Sequence, residues 1–347
     1  MLLVSCAKIC HGRIILQSIR GQATVLEVQR WGCASLRDLA QASSEDRSWL
    51  GRLGGIELVL NAMRTFEADT ELQQSACGAL ATLSYENQVN TKAVLQHGGT
   101  ELLLRAMHGH SSSPSVQGLA CYVLRILAFL EEGRHHMVQL GAIETILMAL
   151  RNHIGDVDVQ GSGCGVLGRL TACSSEDLAK VASGDGLGVA LGALSAHPRD
   201  AQVQACASAL VGNLVLAGPQ SVQEIAQSRA ADLVVQASKH ESLEAQSCAV
   251  NALNNMCLRS EHCIAQAAVS GAYASLAATF QPTDENIQLL TITVLYLLTT
   301  TDQGDVGDFV QLQGLSHLIP TMMRFMSSLK VQEQISSILQ SRSLRPF

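Results

Sequence analysis

Two groups of cysteine and histidine side chains have the residue types that bind zinc. Cys257, His262 and Cys263 lie close together in the sequence, and Cys6 and Cys10 precede His11. A structural zinc site needs four nitrogen or sulfur ligands, usually with paired Cys-x-x-Cys spacing. Neither group has that pairing or a fourth ligand nearby. The sequence therefore predicts no metal site and no cofactor.

A glycine-rich stretch offers a second kind of chemistry. Gly184, Gly186 and Gly188 resemble a phosphate-binding loop, but such a loop follows a β-strand, and no strand pattern precedes this stretch. The chain also contains no HExxH, Walker A or GxSxG pattern. These observations favour a protein that is not an enzyme.

A repeat dominates the sequence instead. An apolar residue followed by glutamine recurs at Gln29, Gln73, Gln117, Gln160, Gln204, Gln246, Gln288 and Gln332. The successive steps are 44, 44, 43, 44, 42, 42 and 44 residues. Self-similarity at about 40–47 residues is typical of helical solenoids.

The positions around each marker glutamine predict the helices of one repeat. N-cap residues are expected at Asp69, Ser113, Asp156, Asp200, Ser242, Asp284 and Ser328. Tight turns that need a positive φ are expected at Gly54-Gly55, Gly98-Gly99, Gly141-Ala142, Asp185-Gly186, Gly271-Ala272 and Gln313-Gly314, and a turn without glycine near Ala230-Ala231. Each repeat thus reads as a short helix, a turn, a second helix, a loop and a long helix.

This order resembles the armadillo repeat, of which the stretch DTELQQSACGALATL from Asp69 to Leu83 is similar to the third helix. The resemblance implies an all-α, right-handed α-solenoid over residues 1–347. HEAT repeats, with two helices in each unit, are the alternative. We expect a single solenoid domain with a partial N-terminal repeat at 1–43, seven complete repeats at 44–341 and a tail at 342–347.

Composition limits the compartment and the partners. Several of the eleven cysteines recur at the same place in successive repeats, as at Cys33, Cys77, Cys121 and Cys164. Stacked helices lie about 8–10 Å apart, beyond disulfide reach, so these are expected to be buried thiols. We expect a reducing intracellular compartment, most simply the cytoplasm, with a nuclear or organellar place left open.

The net charge of −7 argues against nucleic acid as a partner. No apolar run is long enough for membrane insertion.

The long helices of armadillo proteins line a concave groove that holds a partner chain. Importin alpha-like grooves carry a ladder of Trp and Asn, which this chain matches only at Asn213 and Asn255. Helical offsets from the marker glutamines also place Tyr122, Arg125 and Arg169 on this side, suited to acidic or aromatic groups, and Leu289, Tyr296 and Leu297 as an apolar patch. The histidines His108 and His110 are expected at a solvated loop tip.

The resemblance implies an interaction scaffold or adaptor that binds one or more partner proteins along the concave groove. The alternative is a permanent structural subunit of a large cytoskeletal, ciliary or organellar assembly.

Overall fold

The computed structural model describes residues 2–279, 285–298 and 329–340. These residues form α-helices joined by short loops, and no strand occurs among them. The chain divides into two compact units, unit 1 at Met1–Cys173 and unit 2 at Ser174–Phe347. None of the described helices is long and apolar enough to cross a membrane.

Unit 1 contains eleven helices. They are α1 (Leu2–Gly21), α2 (Leu26–Gln41), α3 (Ser44–Arg52), α4 (Gly55–Thr65), α5 (Thr70–Ser84), α6 (Gln88–Gln96), α7 (Gly99–Gly109), α8 (Pro114–Leu127), α9 (Glu131–Gln139), α10 (Ala142–Asn152) and α11 (Val157–Leu170). The long helices α2, α5, α8 and α11 pack in series, each against the next.

The described part of unit 2 continues the same order. Its helices are α12 (Ser175–Ser183), α13 (Gly186–Ala196), α14 (Ala201–Leu214), α15 (Pro219–Gln227), α16 (Ala230–Ala237), α17 (Leu243–Cys257), α18 (Glu261–Val269), α19 (Ala272–Thr279), α20 (Glu285–Leu298) and α21 (Leu329–Gln340), with a short 3₁₀ turn at Val215–Ala217. Within this unit α14, α17, α20 and α21 pack in series.

The six repeats from α3 to α20, which the structure describes, contain three helices each, as the sequence predicts. In the repeat from α3 to α5 they have 9, 11 and 15 residues, and in that from α6 to α8 they have 9, 11 and 14. A HEAT repeat would contain two. The expected alternation of a short helix, a second helix and a long helix is therefore confirmed.

Side-chain caps begin the long helices where they were predicted. Asp69, Ser113, Asp156 and Asp200 accept hydrogen bonds from the backbone N–H groups of Leu72, Val116, Val159 and Val203. Ser242 occupies the N-cap position of α17 as predicted, but the expected side-chain bond is absent, so that part of the prediction is wrong. Its backbone N–H instead donates to Nδ1 of His240 at 3.0 Å. Asp284 and Ser328 lie outside the described residues.

The predicted turns have the left-handed backbone they require. The φ angles of Gly54, Gly98, Gly141, Asp185 and Gly271 lie between +70° and +83°. At the turn without glycine, Arg229 keeps a φ of −88°, and the Ser228 hydroxyl accepts a bond from the Ala230 N–H. The expected turn at Gln313-Gly314 lies outside the described residues.

The marker glutamines tie the second helix of a repeat to the third. Gln117 is buried, and its Nε2 donates to the backbone carbonyls of Met107, at 2.8 Å, and His110, at 3.0 Å. These carbonyls lie at the C-terminal end of α7, where a helix has no partner of its own for them. The same pair of bonds, reaching ten and seven residues back, occurs at Gln29, Gln73, Gln160 and Gln204.

Histidine side chains connect some repeats to the repeat before. Nε2 of His110 lies 2.8 Å from the carbonyl oxygen of Glu67, and Nε2 of His153 lies 2.7 Å from that of Ser111. A carbonyl only accepts, so Nε2 is the protonated nitrogen in both rings. His110 is buried, which makes the expectation of a solvated side chain wrong at this position, whereas His108 is exposed.

We predict that Gln117→Glu destabilises the protein strongly. A carboxylate fills the same space but has no N–H to donate, so the Met107 carbonyl loses its partner, the His110 carbonyl keeps only the Ser113 N–H, and a charge is buried beside them. The free energy of unfolding should fall by about 2–4 kcal/mol, measured by urea denaturation followed by circular dichroism. Gln139→Glu, at an exposed position of α9, is the control and should change it by less than about 0.5 kcal/mol. Equal midpoints for the two variants would contradict this role of Gln117.

Gly98→Ala is expected to cost about 1–2 kcal/mol, because only glycine takes a left-handed backbone without strain. Gly98 has a φ of +76°. Gly109→Ala is the matched control, since a Cβ there would meet no atom within 4 Å and its φ is not positive. Thermal melts of both variants check this expectation, which fails if the two melting temperatures shift alike.

Candidate functional site

Large apolar side chains are exposed at one repeated position, just beyond the long helices. In unit 1, Tyr85 and Phe129 each lie twelve residues after a marker glutamine and are 46% and 64% exposed. We call this pair the aromatic edge. In unit 2 the same position holds Leu216 and Leu258, which are 47% and 57% exposed. Exposed apolar clusters are frequent at protein contact sites.

The aromatic edge borders a pocket of about 550 Å³ in unit 1. The pocket lies between the C-terminal ends of α5 and α8 and the beginning of α6. It is lined by Ser84, Tyr85, Glu86, Asn87, Gln88, Thr91, Tyr122, Arg125, Ile126, Phe129 and Leu130. Its volume is within the range of about 300–1,000 Å³ that is usual for ligand sites.

The backbone after α5 turns outward to form one wall of this pocket. Tyr85 leaves the helix with an extended backbone, at φ −60° and ψ 120°, and Glu86 follows with a φ of +50°. A left-handed conformation is uncommon for glutamate, and such residues tend to occur at functional sites. At the corresponding place after α8, Leu130 has a φ of −88°, so this shape is particular to the loop after α5.

Hydrogen bonds hold this wall in place. Asn87 caps α6 by accepting from the Asn90 N–H, and Nδ2 of Asn90 donates to the carbonyls of Leu83, at 2.7 Å, and Arg47, at 2.9 Å. The Thr91 hydroxyl donates to the Asn87 carbonyl at 2.9 Å. The wall is therefore formed without a ligand, and binding would require little ordering of the chain.

Three arginines contact the aromatic rings at or next to the pocket. The guanidinium carbon of Arg47 lies 5.5 Å from the centre of the Tyr85 ring, that of Arg125 lies 5.0 Å from Tyr122, and that of Arg169 lies 3.5 Å from Phe129. These distances are within the range of cation–π attraction. The pairs fix the orientation of both the rings and the cations. The surface can thus offer a flat apolar face and a positive charge together.

Two buried polar atoms near the pocket have no hydrogen-bond partner. They are Oγ of Ser84, which lines the pocket, and Nε of Arg47, the arginine that contacts Tyr85. A buried donor or acceptor without a partner costs roughly 1–3 kcal/mol. Ordered water or a bound group usually satisfies such atoms.

Three of the eight binding residues predicted from the sequence lie together here. Tyr122 and Arg125 line the pocket, and Arg169 contacts Phe129 at its rim. The other five lie in unit 2 and are half-buried: Asn213 on α14, Asn255 on α17, and Leu289, Tyr296 and Leu297 on α20. Nδ2 of Asn255 donates to the Gly212 carbonyl at 3.1 Å, so this amide already contacts the chain's own backbone.

The sequence reasoning missed the aromatic edge, Glu86 and Ser84. Tyr85 and Phe129 share an offset of twelve residues from Gln73 and Gln117. A search of that offset for exposed apolar residues would have found them. This offset lies beyond the end of the helix, where helical periodicity no longer predicts which way a side chain points.

The cysteines and histidines do not form a metal centre in the part of the chain that the structure describes, where no group of three or more metal-binding side chains occurs. Cys257 and Cys263 are both buried. The side chains of Cys6 and Cys10 lie outside the described residues. The described cysteines are free thiols.

Burial makes the stacked thiols unreactive. Removal from water raises the pKa of Cys33, Cys77 and Cys121 to about 12 in each case, and the neighbouring thiols Cys33 and Cys121 add to the effect at Cys77. The thiolate is the reactive form of cysteine. At neutral pH these side chains act as small apolar groups of the core.

Comparison with known proteins agrees with this three-helix repeat. A family model described as the LRRK2 ARM repeat matches residues 12–230, well over half of the chain. The chain belongs to the LRRK2 ARM repeat family. Its fold is therefore the α-solenoid of armadillo repeats that the sequence pattern predicts. A comparison with curated proteins gives no match.

Solved structures of engineered proteins share this armadillo fold. One engineered protein aligns with a TM-score of 0.58 at 22% identity, over 70% of this chain and 96% of its own. A designed armadillo repeat protein aligns with a TM-score of 0.55 at 18% identity, over 66% of this chain and 94% of its own. Identities this low show the fold alone.

We predict that Cys77 and Cys121 of the folded armadillo chain resist alkylation by iodoacetamide at pH 8, because almost no thiolate is present at a pKa of about 12. Cys173, which is only half-buried, should react before these two. Mass spectrometry of timed digests gives the order of labelling, and the same reaction in urea is the control in which all sites should be labelled. Rapid native labelling of Cys77 would contradict the prediction.

Proposed function

We propose that this protein is a non-catalytic scaffold or adaptor, which binds a partner protein along the concave armadillo groove and at the pocket of unit 1. One observation carries the proposal. The pocket is formed in the free chain and is bordered by the exposed rings of Tyr85 and Phe129. Rigid, exposed aromatic side chains next to arginines are the composition of protein-binding hot spots.

The family supports this proposal at a general level, since armadillo repeats commonly bind proteins. The net charge of −7 disfavours the phosphate backbone of nucleic acids as the partner. A protein surface is therefore the partner that best fits the exposed rings.

Within unit 2 we separately propose Asn213, Asn255, Leu289, Tyr296 and Leu297 as partner-binding residues. Half-buried side chains of this kind keep one face toward solvent. The helix α20 carries three of them, one tyrosine and two leucines. The proposal also keeps one repeat domain over 1–347, with the partial repeat at 1–43, the complete repeats at 44–341 and the tail at 342–347.

A permanent structural subunit of a large assembly is the second candidate. The observation that favours it is the repetition of exposed apolar residues in both units, at Tyr85 and Phe129 and again at Leu216 and Leu258. Several neighbours would cover such positions. For either candidate we propose a reducing intracellular compartment, the cytoplasm in the simplest case, because the described cysteines are free.

The aromatic edge should be required for partner capture. We predict that Tyr85→Ser together with Phe129→Ser removes at least about 90% of the partner protein retained by the tagged chain, because truncating two such anchors typically costs 2 kcal/mol or more. The readout is quantitative mass spectrometry of a gentle native pull-down in low and high salt. Leu140→Ser, at another exposed apolar position, is the control variant.

The salt series separates the two candidates. Companions lost in high salt indicate an adaptor, whereas a fixed set that survives high salt indicates a permanent subunit. Unchanged capture by the folded double variant would refute the pocket as the contact site.

A further inference from the structure

We infer that the pocket of unit 1 accepts an aromatic side chain of a partner segment that has an acidic residue next to it, and that Arg125 pairs with this acid. The inference rests on the proposed function, because it assumes that the pocket binds a protein segment. It specifies the chemistry of that segment.

The walls of the pocket suit an aromatic ring. Tyr85, Tyr122 and Phe129 contribute rings, and Ile126 and Leu130 contribute aliphatic surface. A volume of about 550 Å³ admits one large side chain with part of its backbone. Aromatic pairs attract each other in offset or edge-to-face arrangements beyond their area of contact. An incoming ring would therefore gain more here than an aliphatic side chain of similar size.

The charges around the pocket favour an acid beside that ring. Arg125 lines the pocket, Arg47 and Arg169 contact its rings, and Nη1 of Arg134 donates to the Ala128 carbonyl at 2.9 Å and lies 3.5 Å from the Phe129 carbonyl. Glu86 is the single carboxylate among the lining residues. One guanidinium group thus lines the pocket and three lie next to it, in a chain whose net charge is −7.

Two further carboxylates follow the pocket in the chain. Glu131 and Glu132 come directly after Leu130, and both are exposed in the first turn of α9. The N-terminal end of a helix attracts negative charge, which partly compensates these two groups. The arginines beside the rings therefore remain the dominant charge for a group in the pocket.

Arg125 is the arginine that can pair with the ligand. It is half-buried over the Tyr122 ring, and it has no carboxylate partner among the residues that the structure describes. By contrast, Arg30 pairs with Asp69, and Arg105 pairs with Glu67. A guanidinium held over a ring keeps its edge open to a carboxylate, and such charge-assisted pairs are among the stronger hydrogen bonds.

The test uses three capped hexapeptides, in which the central pair of an otherwise all-alanine sequence is Trp-Glu, Trp-Lys or Ala-Glu. Isothermal titration of the full chain should show Trp-Glu binding at least about tenfold more tightly than the other two, the size expected of one charge-assisted pair. Arg125→Gln should remove most of that advantage over Trp-Lys. Arg105→Gln, an exposed arginine on α7, is the matched control and should leave it unchanged.

Folding is checked by circular dichroism, and Arg125→Lys provides a second variant that keeps the positive charge and should retain part of the preference. Equal affinities for Trp-Glu and Trp-Lys, or a preference unaffected by Arg125→Gln, would overturn the inference. If the aromatic edge is needed for partner capture while the peptides bind equally, the inference fails and the proposed function stands. If the double variant of the aromatic edge captures the partner normally while Trp-Glu binds selectively, the proposed function fails and the inferred chemistry of the pocket stands.

Discussion

The buried glutamine amide near the beginning of five successive long helices, from Gln29 to Gln204, is the interaction on which this part of the fold depends. A helix that ends inside the protein leaves carbonyls without partners, and the protein interior offers no water to satisfy them. In five successive repeats the amide of one glutamine donates to two of these carbonyls, ten and seven residues back, and the nearer one also accepts a backbone N–H. The bond pair fixes the loop between the second and third helices, and with it the angle at which the long helix leaves. At Gln246, after the shorter helix α16, one bond to the His240 carbonyl remains.

Much of the fold follows from sequence because its rules are local. Caps at Asp69 or Asp200 and left-handed turns at Gly54 or Gly98 depend on residues within one turn of chain, and these were predicted correctly. The hydrogen bonds from the marker glutamine to the end of the preceding helix were not predicted, because these partners lie across a loop whose path the sequence does not specify. Ser242 shows the same limit, since it occupies the N-cap position of α17 as predicted while its side chain makes no cap bond.

The candidate site was predictable only where it lies on a helix. The offsets that place Tyr122 and Arg125 on one face of α8 hold because helical periodicity holds there. Tyr85, Glu86 and Phe129 follow the helix ends, where that periodicity stops. One of the ring–arginine pairs, Arg169 with Phe129, also joins residues of different repeats, and such a pair arises only once the repeats are stacked. Selectivity at this surface is thus a property of neighbouring repeats and cannot be read from one repeat alone.

The short reach of the polar bonds has a consequence for how such a chain can evolve. The glutamine amide reaches back within its own repeat, and the links from His110 to Glu67 and from Asn90 to Arg47 reach back one repeat. An in-frame duplication of one period would bring its own donors and acceptors and would leave none of the old ones orphaned. Genes for such chains can lengthen or shorten by whole periods with little loss of stability, whereas an insertion of a few residues between a glutamine and its two carbonyls would be selected against.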